Sequence, residues 1–83
     1  MLYSPLLPPD ALGHAPRITL LGSAQALIEQ HRGLYSYNNE KIRIRTAQGV
    51  LCIAGQELII SHFGEQDLLV RGCIRAVSWG MSE

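Results

Sequence analysis

Residues Lys41–Thr46 read Lys-Ile-Arg-Ile-Arg-Thr, a strict alternation of charged and uncharged side chains. Successive side chains of a β-strand point to opposite faces. This order therefore puts Ile42, Ile44 and Thr46 on one face and Lys41, Arg43 and Arg45 on the other. It predicts a strand with one dry and one wet face. Asn38-Asn39 ahead of it suits a tight turn, because Asn tolerates positive φ. Ala47-Gln48-Gly49 behind it suits a hairpin loop with glycine at the left-handed position.

The pattern extends in both directions. After Pro16 there is no proline, and glycines at 22, 33, 49, 55, 64, 72 and 80 separate short runs rich in Ile, Val and Leu. That rhythm predicts strands at Arg17–Leu21, Ala26–Gln30, Gly33–Tyr37, Lys41–Thr46, Val50–Ala54, Glu57–His62, Asp67–Arg71 and Ile74–Trp79. Ser23–Arg32 is the one competitor for a helix, with a Ser cap and good helix formers. Its apolar residues do not sustain a helical stripe, so a strand is favoured. Ile53-Ala54-Gly55 and Val70-Arg71-Gly72 echo each other at a fixed offset, as do Ile60 and Val77, through a duplicated hairpin or coincidence.

Hairpin-length connections imply antiparallel neighbours. The expected fold is all-β, an antiparallel β-meander curled into a small sandwich or roll. It would bury Ile18, Leu20, Ile28, Ile42, Ile44, Leu51, Ile53, Leu58, Ile60, Leu69, Val70, Ile74 and Val77. All the prolines fall at or before Pro16. They set off residues 1–16 as a Pro-rich N-terminal arm, with one helical turn expected in Pro8–His14, ahead of a single small β domain at 17–83. A meander that does not close has free edges, and free edges invite pairing with another chain.

The chain has 83 residues, of which 47% are hydrophobic. That is one modest core, for which association with another chain is a common support. Seven basic and seven acidic residues cancel, which removes any general attraction to nucleic acid or anionic lipid. No run approaches the ~20 apolar residues of a membrane span, and the start lacks the basic region of a secretion signal. The expectation is a soluble intracellular chain that meets membranes peripherally or through a partner. Cys52 and Cys73 lie in apolar runs and are expected to be small buried thiols.

The chemistry-bearing residues form no catalytic pattern. His14, His31 and His62 lack zinc-ligand spacing and are expected in loops or at the surface. Neither a Cys52–His31 nor a Cys73–His62 pair has a supporting signature. The carboxylates sit at turn-like positions, and no glycine pattern forms a phosphate-binding loop. The expectation is no enzyme, no cofactor and no metal. Arg43 and Arg45, with Lys41 and the preceding Tyr35 and Tyr37, supply the alternative, a small nucleic-acid-binding barrel. Zero net charge and the ordinary wet face of a strand weigh against it. Trp79, at the end of the last run, is expected to cap the core or to enter an interface.

The block Pro16–Tyr37, PRITLLGSAQALIEQHRGLYSY, resembles the opening of the YabP/YqfC-type sporulation proteins, especially the YqfC-like branch. Pro16 to Gly22 keeps the family's PRITLLG, with Ser23 where Asn is usual. Glu29-Gln30-His31-Arg32-Gly33 is similar to its ENHRG, with Gln30 in place of Asn. Lys41–Thr46 and Gly49-Val50-Leu51 are similar to its later strands, and Val70-Arg71-Gly72 to its closing VEG, with Arg71 for Glu. The resemblance implies a protein made by endospore-forming bacteria, acting in the mother cell around the forespore envelope. It also implies a larger, membrane-anchored partner of the YqfD type. No enzymatic activity is established for that family. His31-Arg32-Gly33 is then either a binding tip or a hydrogen-bonded network that braces the sheet, the latter favoured. Homo-oligomerisation is expected from the open sheet.

Overall fold

The structure, a computed structural model, describes residues 15–80. The arm, with its expected helical turn, therefore lies almost wholly outside the described residues. Six strands follow: β1 (Arg17–Leu21), β2 (Gln25–Glu29), β3 (His31–Tyr37), β4 (Lys41–Thr46), β5 (Gly49–Phe63) and β6 (Asp67–Gly80). They make one antiparallel sheet in the order β1-β2-β6-β5-β4-β3. Among the described residues there is no helix, and Gln25–Glu29 is a strand.

The expected strands Val50–Ala54 and Glu57–His62 are one long strand, β5, and the two runs after them are one long strand, β6. Local punctuation suggested breaks. The ladder instead continues through register shifts at Ala54/Gly55, Gln56/Ile59 and Ile60/His62. Glu57 (φ 55) and Gly72 (φ 137) bend the backbone there without ending the pairing. The echo at Gly55 and Gly72 thus falls on the two bends of a single hairpin. A Cβ on Gly72 would stand 2.5 Å from the Glu57 carbonyl oxygen, so only glycine permits the strands to approach this closely. The neighbouring turns brace both bends. Gly55 N–H donates to Glu40 O (3.0 Å) and Leu58 N–H to Asn39 O (2.8 Å), while Gly72 and Ile74 donate to Ala24 O and Ser23 O.

The bends fold the sheet over itself. Residues directly opposite on antiparallel strands share a face. On one half, Leu34, Ile44, Leu51 and Trp79 form a row, and so do Tyr37, Ile42, Ile53 and Val77. On the other half the rows are Ile18, Ile28, Leu68, Phe63 and Leu20, Ala26, Val70, Ile60. Ile28, Ile42, Ile44, Leu51, Ile53, Leu58, Leu68 and Val70 are fully buried in one cluster. Each contributes about 1.5–3 kcal/mol. The expected curled all-β fold is therefore the observed one, with one refinement of its meander. β3 to β6 follow in sequence, but β2 pairs with β6 and not with β3.

Four expectations of burial are corrected. Leu20 is 49% exposed, because among the described residues its strand is at the edge with no neighbour beyond it. Leu68, not Leu69, points inward, since Leu68 pairs with buried Ile28. Cys73 is exposed and Cys52 half-buried. His31 is 6% exposed and belongs to β3, not to a surface turn.

Candidate functional site

The crossing from β2 to β3 rests on a single residue. Gln30 takes φ 66, and the Gln66 carbonyl accepts from both Gln30 N–H (2.7 Å) and His31 N–H (3.1 Å). This turns the chain from one half of the folded sheet to the other and drives the His31 side chain inward. His31 Nδ1 accepts from Gly33 N–H at 2.9 Å. Its Nε2–H donates to Gly64 O at 3.0 Å and Asp67 O at 3.2 Å. This set requires the neutral tautomer with the proton on Nε2. The ring also packs against Phe63, with centroids 5.3 Å apart. His31 therefore ties β3 to the β5–β6 turn, and it acts as a brace. Gly33 (φ 117) sits in the register shift between His31 and Leu34, where positive φ is needed. Arg32 between them is exposed.

Tyr35 and Arg45 do come together, whereas Arg43 is opposite Ser36. The Arg45 guanidinium lies 5.1 Å from the centre of the Tyr35 ring. Lys41, Arg43 and Arg45 line the outer face of β4. The residues opposite them on β5 are Ala54, Cys52 and Val50, and on β6 beyond these Ala76, Ser78 and Gly80. Those positions carry no acid, so a row of cations borders small neutral side chains. Among the described residues the acid–base side-chain contacts are the ion pair Arg17–Glu29 (3.9 Å) and the contact His62–Asp67 (3.4 Å), neither of which involves this row. Trp79 lies apart from it. It stands beside Leu51 on the inner face and remains 47% exposed at the end of the sheet. Tyr37 faces inward too, and its hydroxyl donates to Leu58 O (3.2 Å).

The two suggested thiol–histidine pairs are not assembled. Cys73 is opposite Gln56, whereas His62 is opposite Leu69, four residues away along β6 and about 13 Å at strand rise, and lies beside Asp67. Cys52 is opposite Arg43 and Ser78, while His31 turns toward the β5–β6 turn. Among the described residues no group of three His, Cys, Asp or Glu side chains converges as metal ligands do.

Of the two exposed leucines of β1, Leu20 read as core from sequence and Leu21 was not singled out. Leu20 and Leu21 are 49% and 58% exposed on the sheet's outer edge. Adjacent apolar residues on a strand face opposite ways, and that is the signal available at Thr19-Leu20-Leu21. No helix among the described residues is long and apolar enough to cross a membrane.

The sequence pattern of the YabP family matches residues 13–83. The chain is also 33% identical, over 73 residues, to the uncharacterized protein YqfC of Bacillus subtilis (strain 168); the match spans 88% of this chain and 78% of that relative. On both grounds, this folded six-stranded sheet belongs to the YabP family, on the YqfC side resembled by Pro16–Tyr37.

Proposed function

We propose that this chain is a non-enzymatic assembly module of sporulation. It acts in the mother cell at the developing forespore envelope, beside a membrane-anchored partner of the YqfD type. The observation that carries the reading is the family match over residues 13–83. The open sheet supports it, since a free edge and exposed Leu20, Leu21, Ile59 and Phe63 suit contact with other chains. The test is capture of the tagged chain from sporulating cells of its native host, solubilised in mild detergent. The YqfD-type protein should be retained, and deletion of the chain should lower the yield of heat-resistant spores. Absence of that protein from the captured material, with normal sporulation in the deletion strain, would reject the proposal.

The row Lys41, Arg43, Arg45 with Tyr35 favours a second reading, single-stranded nucleic-acid binding. It predicts salt-dependent affinity for oligonucleotides that Arg43→Glu/Arg45→Glu abolishes. Unchanged affinity in that variant would dismiss this surface.

A further inference from the structure

The two edges of the sheet are unlike. β3 is interrupted by register shifts between His31 and Leu34 and between Leu34 and Ser36. Bulges of this kind twist an edge away from further pairing. β1 has none: Arg17 to Leu21 pair with Glu29 to Gln25 in unbroken register. β1 also holds no proline, and its one charge, Arg17, stands at its first position and is turned toward Glu29. Its far end exposes Leu20 toward the inner face and Leu21 toward the outer. Among the described residues, this unbroken edge with apolar residues on both faces has none of the usual protection against pairing.

We propose that β1 pairs antiparallel with β1 of a second copy of this chain, about a two-fold axis through Thr19. The strand is self-complementary in that register. Ile18 meets Leu20 of the second copy on the inner face, so the apolar rows ending at Ile18 and Leu20 run on across the axis. On the outer face Thr19 meets Thr19, a favourable cross-strand pair. Arg17 meets Leu21 of the second copy, which separates the two like charges and lets the arginine stem cover the leucine. Such an interface is isologous and closed. The result is a twelve-stranded continuous sheet, six strands from each copy. The inference rests on the reading of this chain as an assembly module and names its first contact, which needs no membrane protein.

The experiment is light scattering on the purified full chain across a concentration series, with circular dichroism on every variant. The wild type should dimerise. Leu21→Lys, at an exposed position, should fold normally but set like charges opposite Arg17 twice per dimer, weakening it by roughly 30-fold, as expected for two cross-strand pairs of about 1 kcal/mol each. Leu21→Glu, which sets an opposite charge against Arg17 at the same position, should keep the dimer. Ser36→Glu, on the β3 edge, should leave the dimer intact. A chain that stays monomeric at about 1 mM overturns the inference. So does a dimer indifferent to Leu21→Lys, one lost in Leu21→Glu, or one lost in Ser36→Glu. Because the purified chain is used alone, failure here is separate from failure to retain the YqfD-type protein.

Discussion

Replacing His31 with leucine removes the tie between β3 and the β5–β6 turn while keeping a buried apolar side chain. Gly33 N–H loses its acceptor and Gly64 O its donor. Asp67 O loses less, since it still accepts from Gly64 N–H at 2.7 Å. A buried polar group left unpaired costs about 1–3 kcal/mol. Gly33 and Gly64 are half-buried, so water recovers part of that. The expected loss is about 2–4 kcal/mol for the two groups together. A chain of 83 residues has a total stability of about 4–12 kcal/mol at typical per-residue values, so the loss is a large share of it. With an m-value of about 1 kcal/mol/M in urea, the midpoint of unfolding should fall by about 2–4 M.

His31→Asn divides the effect. Asn Oδ1 occupies nearly the place of Nδ1 and can accept from the N–H two residues on, as in an Asx-turn. The bond to Gly33 should survive and those to Gly64 and Asp67 should not, for about half the loss. The assay is urea unfolding followed by far-ultraviolet circular dichroism. A His31→Leu loss below about 1 kcal/mol would refute the bracing role. Equal losses in both variants would show that the Gly33 bond contributes nothing.

Gly72→Ala should destabilise the chain by about 3 kcal/mol or more, through positive φ together with overlap against Glu57 O; thermal unfolding of the purified variant measures it. Gly55→Ala should behave similarly, since its Cβ would meet Cys73 O. Tyr37→Phe removes the hydrogen bond to Leu58 O and should cost about 1 kcal/mol; urea midpoints would show it, and an unchanged midpoint would mean water replaces the hydroxyl. Thiol labelling of the native chain should modify exposed Cys73 before Cys52, with peptide mapping to identify the site; the reverse order would contradict the outward position of Cys73.

The local pattern carried the strands because side-chain alternation is a property of the backbone itself. Ile42 and Ile44 could be placed on the dry face, and Arg43 and Arg45 on the wet one, before any partner strand was known. Gly49 was likewise legible as a positive-φ position. The Asn38 turn was legible as a turn, but it works by a side-chain oxygen accepting from Glu40 and Lys41 N–H. What failed was inference about what covers a face. Leu20 and Ile28 both read as core, yet only Ile28 has strands on both sides. His31 read as surface because a polar residue near glycine usually is. Its burial depends on carbonyls more than thirty residues away.

The sequence by itself thus determined an all-β chain, the facing of its alternating strands and, through Pro16–Tyr37, its family. Tertiary structure alone decided that glycines at 55 and 72 bend strands instead of ending them. It alone decided that Gln30 carries the chain across the fold, that His31 is a brace, and which strands stand at the edges among the described residues. The reason is physical. Alternation is written in neighbouring residues, whereas bends, cover and free edges depend on which distant segments pack together.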